Sequence, residues 1–309
     1  HPEHQRFATF IAQALSSKRL QAVIGLSSQP IKLATSEARD HRTMSEPRSS
    51  AASPSRITGR SAFLSDVHLG TRNCRADALL EFLTRLNTDT LFLVGDIIDL
   101  QRMANAVHWP RSHTAVIQKL FNLAAAGMRV VFIPGNHDAA LRVHAGTTVN
   151  GVEVRLNTIH QTADGRRLLI THGDQFDSEL RIGSLKEKIG GAAYEWLLGL
   201  DVGINRVRSR FGYDETSIAS AVKMRVRSAQ HYIREYEQLA ADNARKRGLD
   251  GIVCGHIHKP EIARFNGTDY LNTGDWVEHG TALLEDHHGR MQLIQTSDAS
   301  VVTTEPQAA

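Results

Sequence analysis

The sequence predicts an α/β fold, and three observations support this prediction. From residue 60 onward, short apolar runs alternate with amphipathic stretches in the order strand, helix, strand, helix, strand. The predicted strands are solid runs of Val, Ile, Leu and Phe, which is typical of a sheet covered by helices. Gly127 follows the second predicted helix at the position of a C-terminal cap. We therefore expect a sheet with helices packed on it.

The second half of this region carries hairpin and helix signals. Asp164-Gly165 and Asn266-Gly267 each lie between two short apolar runs, a pattern that predicts tight β-hairpin turns. We expect these hairpins to form a second, largely antiparallel sheet packed on the first. Between about residues 174 and 249, apolar residues recur every three or four positions instead. This periodicity predicts a helical insertion, interpreted as a lid.

Composition and length set the domain boundaries. The chain has 309 residues, and residues 1–60 are rich in serine and basic side chains with no sustained pattern. We expect residues 1–60 to be a disordered extension, 61–300 to be the folded domain and 301–309 to be a flexible tail. The helical insertion falls inside the folded domain.

The overall composition excludes several classes of protein. With 41% hydrophobic and 22% charged residues, the chain is neither disordered nor fibrous. No apolar run approaches the ~20 residues of a membrane span. Two cysteines cannot form a disulfide framework, so we expect a reducing, cytoplasmic location. The net charge of +3 is compatible with a phosphorylated substrate, and no nucleic-acid partner is expected.

Polar clusters follow the predicted strands, where open α/β folds place their sites. Each cluster contains carboxylate, amide or imidazole groups next to glycine, which allows sharp backbone turns. In chain order they contain Asp66 and His68, Asp96 and Asp99, Asn136 and His137, His172, and His256 and His258. Oxygen and imidazole donors suit manganese, iron or zinc, and this set is larger than one ion needs.

The series DxH, GDxxD, GNHD, H and GHxH from Asp66 to His258 resembles the calcineurin-like metallophosphoesterase superfamily. The resemblance implies a four-layer αββα sandwich that binds two divalent ions. We expect manganese, with iron or zinc as alternatives. Such ions activate water and stabilise charge during displacement at phosphorus. The implied ligands of one ion are Asp66, His68, Asp96 and His258, and those of the other are Asp96, Asn136, His172 and His256.

The same resemblance implies roles for two residues that are not ligands. His137 would face the leaving-group oxygen as a proton donor or electrostatic stabiliser, and Asp99 would orient it. Asp99 could instead cap a helix or turn after its strand. Asp138 could make loop hydrogen bonds or support a metal ligand, and the sequence does not decide between the two. Asp177 and His279 are among several residues near the motifs that could line the pocket, but the sequence singles out none of them, and the substrate-binding residues stay unknown.

Residues 61–295 resemble the UDP-2,3-diacylglucosamine pyrophosphohydrolase family of lipid A synthesis, which implies hydrolysis to lipid X and UMP. In that family the insertion caps the site and receives acyl chains. His137 stands where its characterised members generally carry arginine, and "GDIID" also differs from their segment. The closer similarity is to a paralogous branch that keeps this histidine.

Other functions remain open. The alternatives are a phosphodiesterase or phosphatase acting on another nucleotide or lipid, a DNA nuclease, and a non-catalytic scaffold. The helical insertion argues against the nuclease, and the complete ligand set argues against the scaffold. Six basic residues between Arg206 and Arg227 form either a solvated helix face or a contact to an anionic substrate or the inner-membrane surface.

Overall fold

The computed structural model describes residues 56–184, 215–297 and 300–304 of the chain. The described strands are β1 (Ile57–Thr58), β2 (Ser61–Leu64), β3 (Leu86–Asn87), β4 (Thr90–Leu93), β5 (Arg129–Phe132), β6 (Thr148–Val149), β7 (Val152–Val154), β8 (Thr158–Gln161), β9 (Arg167–Ile170), β10 (Gly251–Cys254), β11 (Glu261–Phe265), β12 (Thr268–Asn272), β13 (Thr281–Glu285), β14 (Met291–Ser297) and β15 (Ser300–Thr304). The described α-helices are α1 (Ala76–Arg85), α2 (Leu100–Met103), α3 (Arg111–Ala125), α4 (Asp174–Ser184) and α5 (Glu215–Lys246), and Ala139–His144 is a 3-10 helix.

The first sheet contains the predicted strand–helix–strand units. Its strand order is β15-β14-β13-β2-β4-β5-β7-β6, and β2, β4, β5 and β7 run parallel to one another. Because side chains alternate along a strand, Ala62 and Leu64 pack with the helices α1 and α3 while Phe63 packs toward the second sheet. Gly127 ends α3 with a φ of 101°, as the sequence predicts. Both faces of this sheet are therefore covered.

The second sheet is mixed rather than largely antiparallel. Its order is β11-β12-β10-β9-β8, in which β10 is parallel to both β9 and β12. The two predicted hairpins form its outer pairs, β8 with β9 and β11 with β12. The prediction was wrong for the centre because the chain passes through α4 and α5 between β9 and β10, and such a long crossover allows a parallel return.

The described part of the helical insertion is a layer of the fold as well as a cover. In α5, Tyr236, Ala240 and Ala244 are buried against residues of the second sheet that include Ile252 and Tyr270. With α1 and α3 on the other side, the layers are helices, sheet, sheet and helices, so the expected αββα sandwich is confirmed. None of the described helices, the 32-residue α5 included, has the length and apolar character needed to cross a membrane.

Two of the described strands extend outside the predicted domain boundaries. Residues 1–55 and 305–309 lie outside the described residues. Ile57 is buried, however, and β1 pairs in parallel with β3, so residues 57–60 belong to the fold. At the other end, β15 pairs with β14 within the predicted tail. The β-branched run Val301–Thr304 favours this strand, which the predicted boundary at residue 300 did not take into account.

Aromatic rings pack between the two sheets, next to the buried ring of His160. The rings of Phe63 and Phe92 are stacked with centroids 4.8 Å apart. The ring of His160 in β8 meets both of them edge-on, at 5.6 Å and 5.2 Å. The two sheets therefore pack through a largely apolar layer in which the buried ring of His160 needs a hydrogen-bond partner.

Glu285 is that partner and joins the two sheets through its carboxylate. This fully buried side chain in β13 lies 2.6 Å from His160 Nε2 and 2.8 Å from Arg60. It also accepts a hydrogen bond from the backbone of Ala163 in the β8–β9 turn at 2.8 Å. Burial alone would raise the pKa of Glu285, but these hydrogen bonds outweigh it and lower the pKa to about 2.

We predict that this junction makes the fold sensitive to acid. Because the pKa of Glu285 is about 2 in the folded chain and higher in the unfolded chain, its stabilising contribution is present above about pH 4.5 and is lost as the pH falls toward 2. Free energies of unfolding from urea titrations between about pH 6 and pH 3 should fall less steeply for Glu285→Gln than for the unsubstituted chain.

A Glu81→Gln variant, which removes an exposed carboxylate from α1, controls for the loss of one acidic group. It should follow the unsubstituted chain. Equal pH dependence in the Glu285→Gln variant and the unsubstituted chain would show that Glu285 does not contribute in this way.

Candidate metal centre

Loops from both sheets converge and bring the predicted ligands together. Three loops follow β2, β4 and β5 of the first sheet, and two follow β9 and β10 of the second. Their titratable side chains form three groups whose possible ligand atoms lie within 4.8 Å of one another. The groups are Asp66, His68 and His258; Asp96, His172 and His256; and His68, Asp96 and His137. The site thus contains residues from both sheets. The sequence alone predicts that the polar clusters follow strands, but not which sheet each strand belongs to.

Most of the predicted ligands have an unusual backbone conformation. Five of the seven are in the left-handed region, which residues with a side chain rarely adopt. They are Asp66 (φ 52°), His68 (52°), Asp96 (53°), His256 (70°) and His258 (55°). Backbone hydrogen bonds between neighbouring loops hold this geometry, such as those from Asp66 N to Gly95 O at 3.0 Å and from His68 N to Asp96 O at 2.9 Å. Such conformations persist where the surrounding structure enforces them.

Two glycines allow backbone to approach the carboxylates directly. A Cβ atom at Gly135 would lie 2.3 Å from Asp96 Oδ1, and one at Gly255 would lie 2.3 Å from Asp66 Oδ2. Neither distance is possible for a real side chain. The glycines of the GNHD and GHIH motifs are therefore required for close packing around the site.

Asp66 is the carboxylate of the group that also contains His68 and His258. Its Oδ1 atom lies 3.2 Å from His258 Nε2 and 3.9 Å from His68 Nε2. Its Oδ2 atom accepts a hydrogen bond from the backbone N–H of His256 at 2.9 Å. Burial raises the pKa of Asp66, but the charge of the nearby His258 outweighs burial and holds the pKa well below its ordinary value.

Two buried atoms of this group fit a cation. Asp66 Oδ1 and His68 Nε2 are inaccessible to solvent and make no hydrogen bond within the described residues. Buried polar atoms in native proteins nearly always have a partner, and a carboxylate oxygen beside an imidazole nitrogen is a suitable pair of ligands for a divalent metal. The residues present therefore fit the metal that the motifs imply.

Asp96 and His172 form the core of the second group. His172 Nε2 lies 3.3 Å from Asp96 Oδ2 and 3.2 Å from Asn136 Oδ1. The other ring nitrogen, Nδ1, donates to the carbonyl of Val94 at 2.8 Å, so Nε2 is the nitrogen directed at the site. Burial lowers the pKa of His172, but the carboxylate of Asp96 outweighs burial and raises the pKa to about 10.

Asp99 holds two histidines and caps a helix. Its Oδ1 atom lies 3.0 Å from His137 Nδ1, and its Oδ2 atom lies 3.1 Å from His68 Nδ1. Oδ1 also accepts the backbone N–H of Arg102 at 2.8 Å, which caps α2. Both functions considered for this residue from sequence are therefore compatible, because each carboxylate oxygen accepts more than one hydrogen bond.

The side chain of His137 is partly accessible to solvent, at 22% exposure. Its backbone N–H donates to Asp96 Oδ1 at 2.8 Å, which ties it to the second group. Burial lowers the pKa of His137, but the hydrogen bond to Asp99 and the charges of Asp96 and Asp99 outweigh burial and raise the pKa. A protonated, accessible imidazole next to a cation site can donate a proton to a departing oxygen.

The role of Asp138 was left open by sequence reasoning. This fully buried carboxylate accepts the backbone N–H groups of Gly135 at 2.6 Å, Asp96 at 3.3 Å, Ile97 at 2.8 Å and Ile98 at 3.3 Å. Burial and the charge of Asp96 raise its pKa to about 7, against the effect of these donors. Asp138 thus fastens the loop that carries Asp96 to the loop that carries Asn136.

The basic residues of the insertion cannot be placed at this centre. Arg206, Arg208 and Arg210 lie outside the described residues, and no side-chain position is described for the basic residues between 223 and 227. Their contact to an anionic substrate or a lipid surface stays a prediction.

Comparison with known families agrees with the geometry of the centre. The profile of the calcineurin-like phosphoesterase family matches residues 59–260, which is more than half of the chain. The chain belongs to this family. It is a metal-dependent phosphoester hydrolase, and its described His and Asp groups are candidate ligands for the two metal ions typical of the family.

Several curated proteins are similar to this phosphoesterase at about a quarter sequence identity. Similar proteins named UDP-2,3-diacylglucosamine hydrolase include one from Vibrio atlanticus, 24% identical over 72% of this chain and 91% of that protein. Another, from Porphyromonas gingivalis, is 25% identical over 72% of this chain and 93% of that protein. Among solved structures, the E. coli phosphoesterase Yfce is 14% identical with a TM-score of 0.41, over 78% of this chain and 96% of that one.

We predict that Asp138→Asn weakens the fold at the centre. Asparagine keeps the size of the side chain but has one acceptor oxygen for four backbone donors, and each buried donor left unpaired costs about 1–3 kcal/mol. The free energy of unfolding from urea titration should fall by at least that amount, and metal content should fall with it.

Asp250→Asn is the matched control, because Asp250 accepts one backbone N–H, from Arg167 at 2.8 Å, in an exposed position. Its effect should stay within about 0.5 kcal/mol. If both variants were equally stable, the four hydrogen bonds of Asp138 would not be a principal fastening of the site.

Proposed function

We propose that this phosphoesterase hydrolyses a phosphodiester or diphosphate bond at a dinuclear metal centre. The observation that carries the proposal is the set of three groups of neighbouring Asp and His donors at the meeting point of five loops, in which Asp66 Oδ1 and His68 Nε2 are buried without a hydrogen bond. When bound, two divalent ions would supply Lewis acidity that activates water and neutralises charge on the phosphoryl group. Manganese is our expectation, with iron or zinc as alternatives, because the donors are oxygen and imidazole nitrogen.

The proposed ligand sets share one carboxylate. The first set is Asp66, His68, Asp96 and His258, and the second is Asp96, Asn136, His172 and His256. Asp96 belongs to two of the three groups of neighbouring donors, which supports its assignment as the bridge. A bridge between two cations requires an anionic group, and Asp96 is kept ionised because its attraction to His172 outweighs burial and lowers its pKa.

His137 is proposed to act on the leaving group. Asp99 contacts the Nδ1 atom of His137, so the second ring nitrogen, Nε2, points away from this carboxylate. The side chain remains partly accessible to solvent. The hydrogen bond to Asp99 and the neighbouring carboxylates outweigh burial and raise the pKa of His137, which favours the protonated imidazole that a general acid requires. A positioned general acid of this kind contributes about 10²- to 10⁴-fold to the rate.

The proposed substrate is UDP-2,3-diacylglucosamine, cleaved to lipid X and UMP. Support comes from the relatives of that name, at about 24% identity across most of their length. Such a substrate would place the enzyme in the cytoplasm, with the helical insertion touching the inner membrane. A nucleotide or lipid diester of another kind is the alternative, because His137 occupies the position of an arginine in the characterised lipid A enzymes.

Two substrates tested in parallel separate these proposals. Purified chain with added Mn²⁺ should hydrolyse both UDP-2,3-diacylglucosamine and bis(p-nitrophenyl) phosphate. Cleavage of the generic diester alone would reject the lipid A substrate and retain the enzyme class. Cleavage of neither, at saturating metal, would reject phosphodiester and diphosphate hydrolysis.

We predict that two substitutions at the centre have different effects. Asp96→Ala removes the proposed bridge, so it should abolish turnover and lower the metal content measured by mass spectrometry. His137→Ala removes only the proposed acid, so it should keep both ions and lower kcat by about 10²- to 10⁴-fold.

His288→Ala, which alters an exposed histidine in the β13–β14 turn, is the matched control and should keep full activity. Loss of metal from His137→Ala combined with retained activity in Asp96→Ala would show that the two roles are assigned wrongly.

A further inference from the structure

The helical insertion reaches the metal centre through one carboxylate. Asp177 lies in the first turns of α4, and its Oδ2 atom is 2.8 Å from His256 Nε2. Both side chains are mostly buried, at 20% and 14% exposure, so the contact is shielded from bulk water. In the sequence, Asp177 lies five residues after His172, and this spacing alone does not predict a role for it.

Helix α5 of the insertion holds Asp177 in place. The hydroxyl of Tyr232 in α5 donates a hydrogen bond to Asp177 Oδ1. One turn further along α5, the ring of Tyr236 packs edge-on against Phe176 with centroids 5.8 Å apart, and it also lies 6.0 Å from the ring of His256. The position of Asp177 therefore depends on how α4 and α5 pack together.

The contact determines which nitrogen of His256 is available as a ligand. A carboxylate accepts hydrogen bonds only, so the proton of the imidazole resides on Nε2 and the lone pair on Nδ1 faces the other way. A carboxylate behind a ligating histidine fixes its ring and makes it a better donor, and removing such a partner typically costs 10- to 100-fold in metal affinity or activity.

We propose that Asp177, held by Tyr232, is a positioning residue that orients His256 and sets the affinity of one of the two metal sites. The affected site is the one formed by Asp96, Asn136, His172 and His256, so the proposal rests on the dinuclear centre of the proposed function. It also couples the insertion to the metal centre, because a shift of α5 against α4 would move the carboxylate that holds His256.

Direct metal binding tests this proposal without relying on activity. Equilibrium dialysis against graded free Mn²⁺, followed by elemental analysis, gives the number of ions bound and the concentration for half occupancy of each site. For Asp177→Ala, half occupancy of one site should require about 10- to 100-fold more Mn²⁺, and the other site should be unchanged. The retained site shows that the variant is folded.

Conservative variants separate positioning from other roles. Asp177→Asn should recover most of the affinity, because its amide oxygen accepts the same hydrogen bond, and Tyr232→Phe should fall between the unsubstituted chain and Asp177→Ala. Asp242→Asn is the matched control in α5, where the carboxylate pairs with Arg245 at 3.0 Å, and it should bind both ions normally. Excess Mn²⁺ should restore kcat to Asp177→Ala.

Two results would overturn the proposal. Unchanged affinity of both sites in Asp177→Ala would show that His256 needs no orienting partner. An equal loss in Asp177→Asn and Asp177→Ala that excess Mn²⁺ does not restore would make Asp177 a ligand rather than a positioning residue. Failure of the proposed function is distinguishable, since it appears as an unsubstituted chain that binds fewer than two ions or cleaves neither substrate.

Discussion

The attraction between buried carboxylates and imidazoles is the interaction on which the rest of this structure depends. Asp66, Asp96 and Asp99 are almost completely inaccessible to solvent and lie within one small region. Burying like charges together is unfavourable unless opposite charges or hydrogen-bond donors compensate them. Histidines supply that compensation, and the resulting donor set is also the one that binds divalent metals. The histidines that compensate the buried carboxylates are therefore also the candidate metal ligands.

The surrounding fold is arranged to bring these groups into contact. Parallel strands end at one edge of each sheet, so loops from the two sheets meet when the sheets stack through Phe63, Phe92 and His160. The left-handed backbone of five ligand positions is held by hydrogen bonds from neighbouring loops. Asp138 also holds these loops together by accepting backbone N–H groups, and Asp177 does so by contacting the imidazole of His256. Each device restricts how far a ligand can move.

Local signals explain which parts were predictable from the sequence. Strands β2, β4 and β5 and the two hairpin turns of the second sheet are encoded in short segments, and the structure contains them where they were expected. The parallel centre of the second sheet depends on the crossover through α4 and α5, which periodicity alone does not reveal. Similarly, the position of Asp177 matters because α4 lies beside the loop that follows β10, and β1 pairs with β3.

The long sequence separation of the ligands has a consequence for folding. Asp66 and His256, which are joined by a hydrogen bond, are 190 residues apart in the chain. Contacts of such separation form late, because the intervening chain must lose its conformational freedom first. The complete donor set requires both sheets to be formed, so a divalent ion bound there would stabilise the folded sandwich relative to states in which either sheet is unfolded.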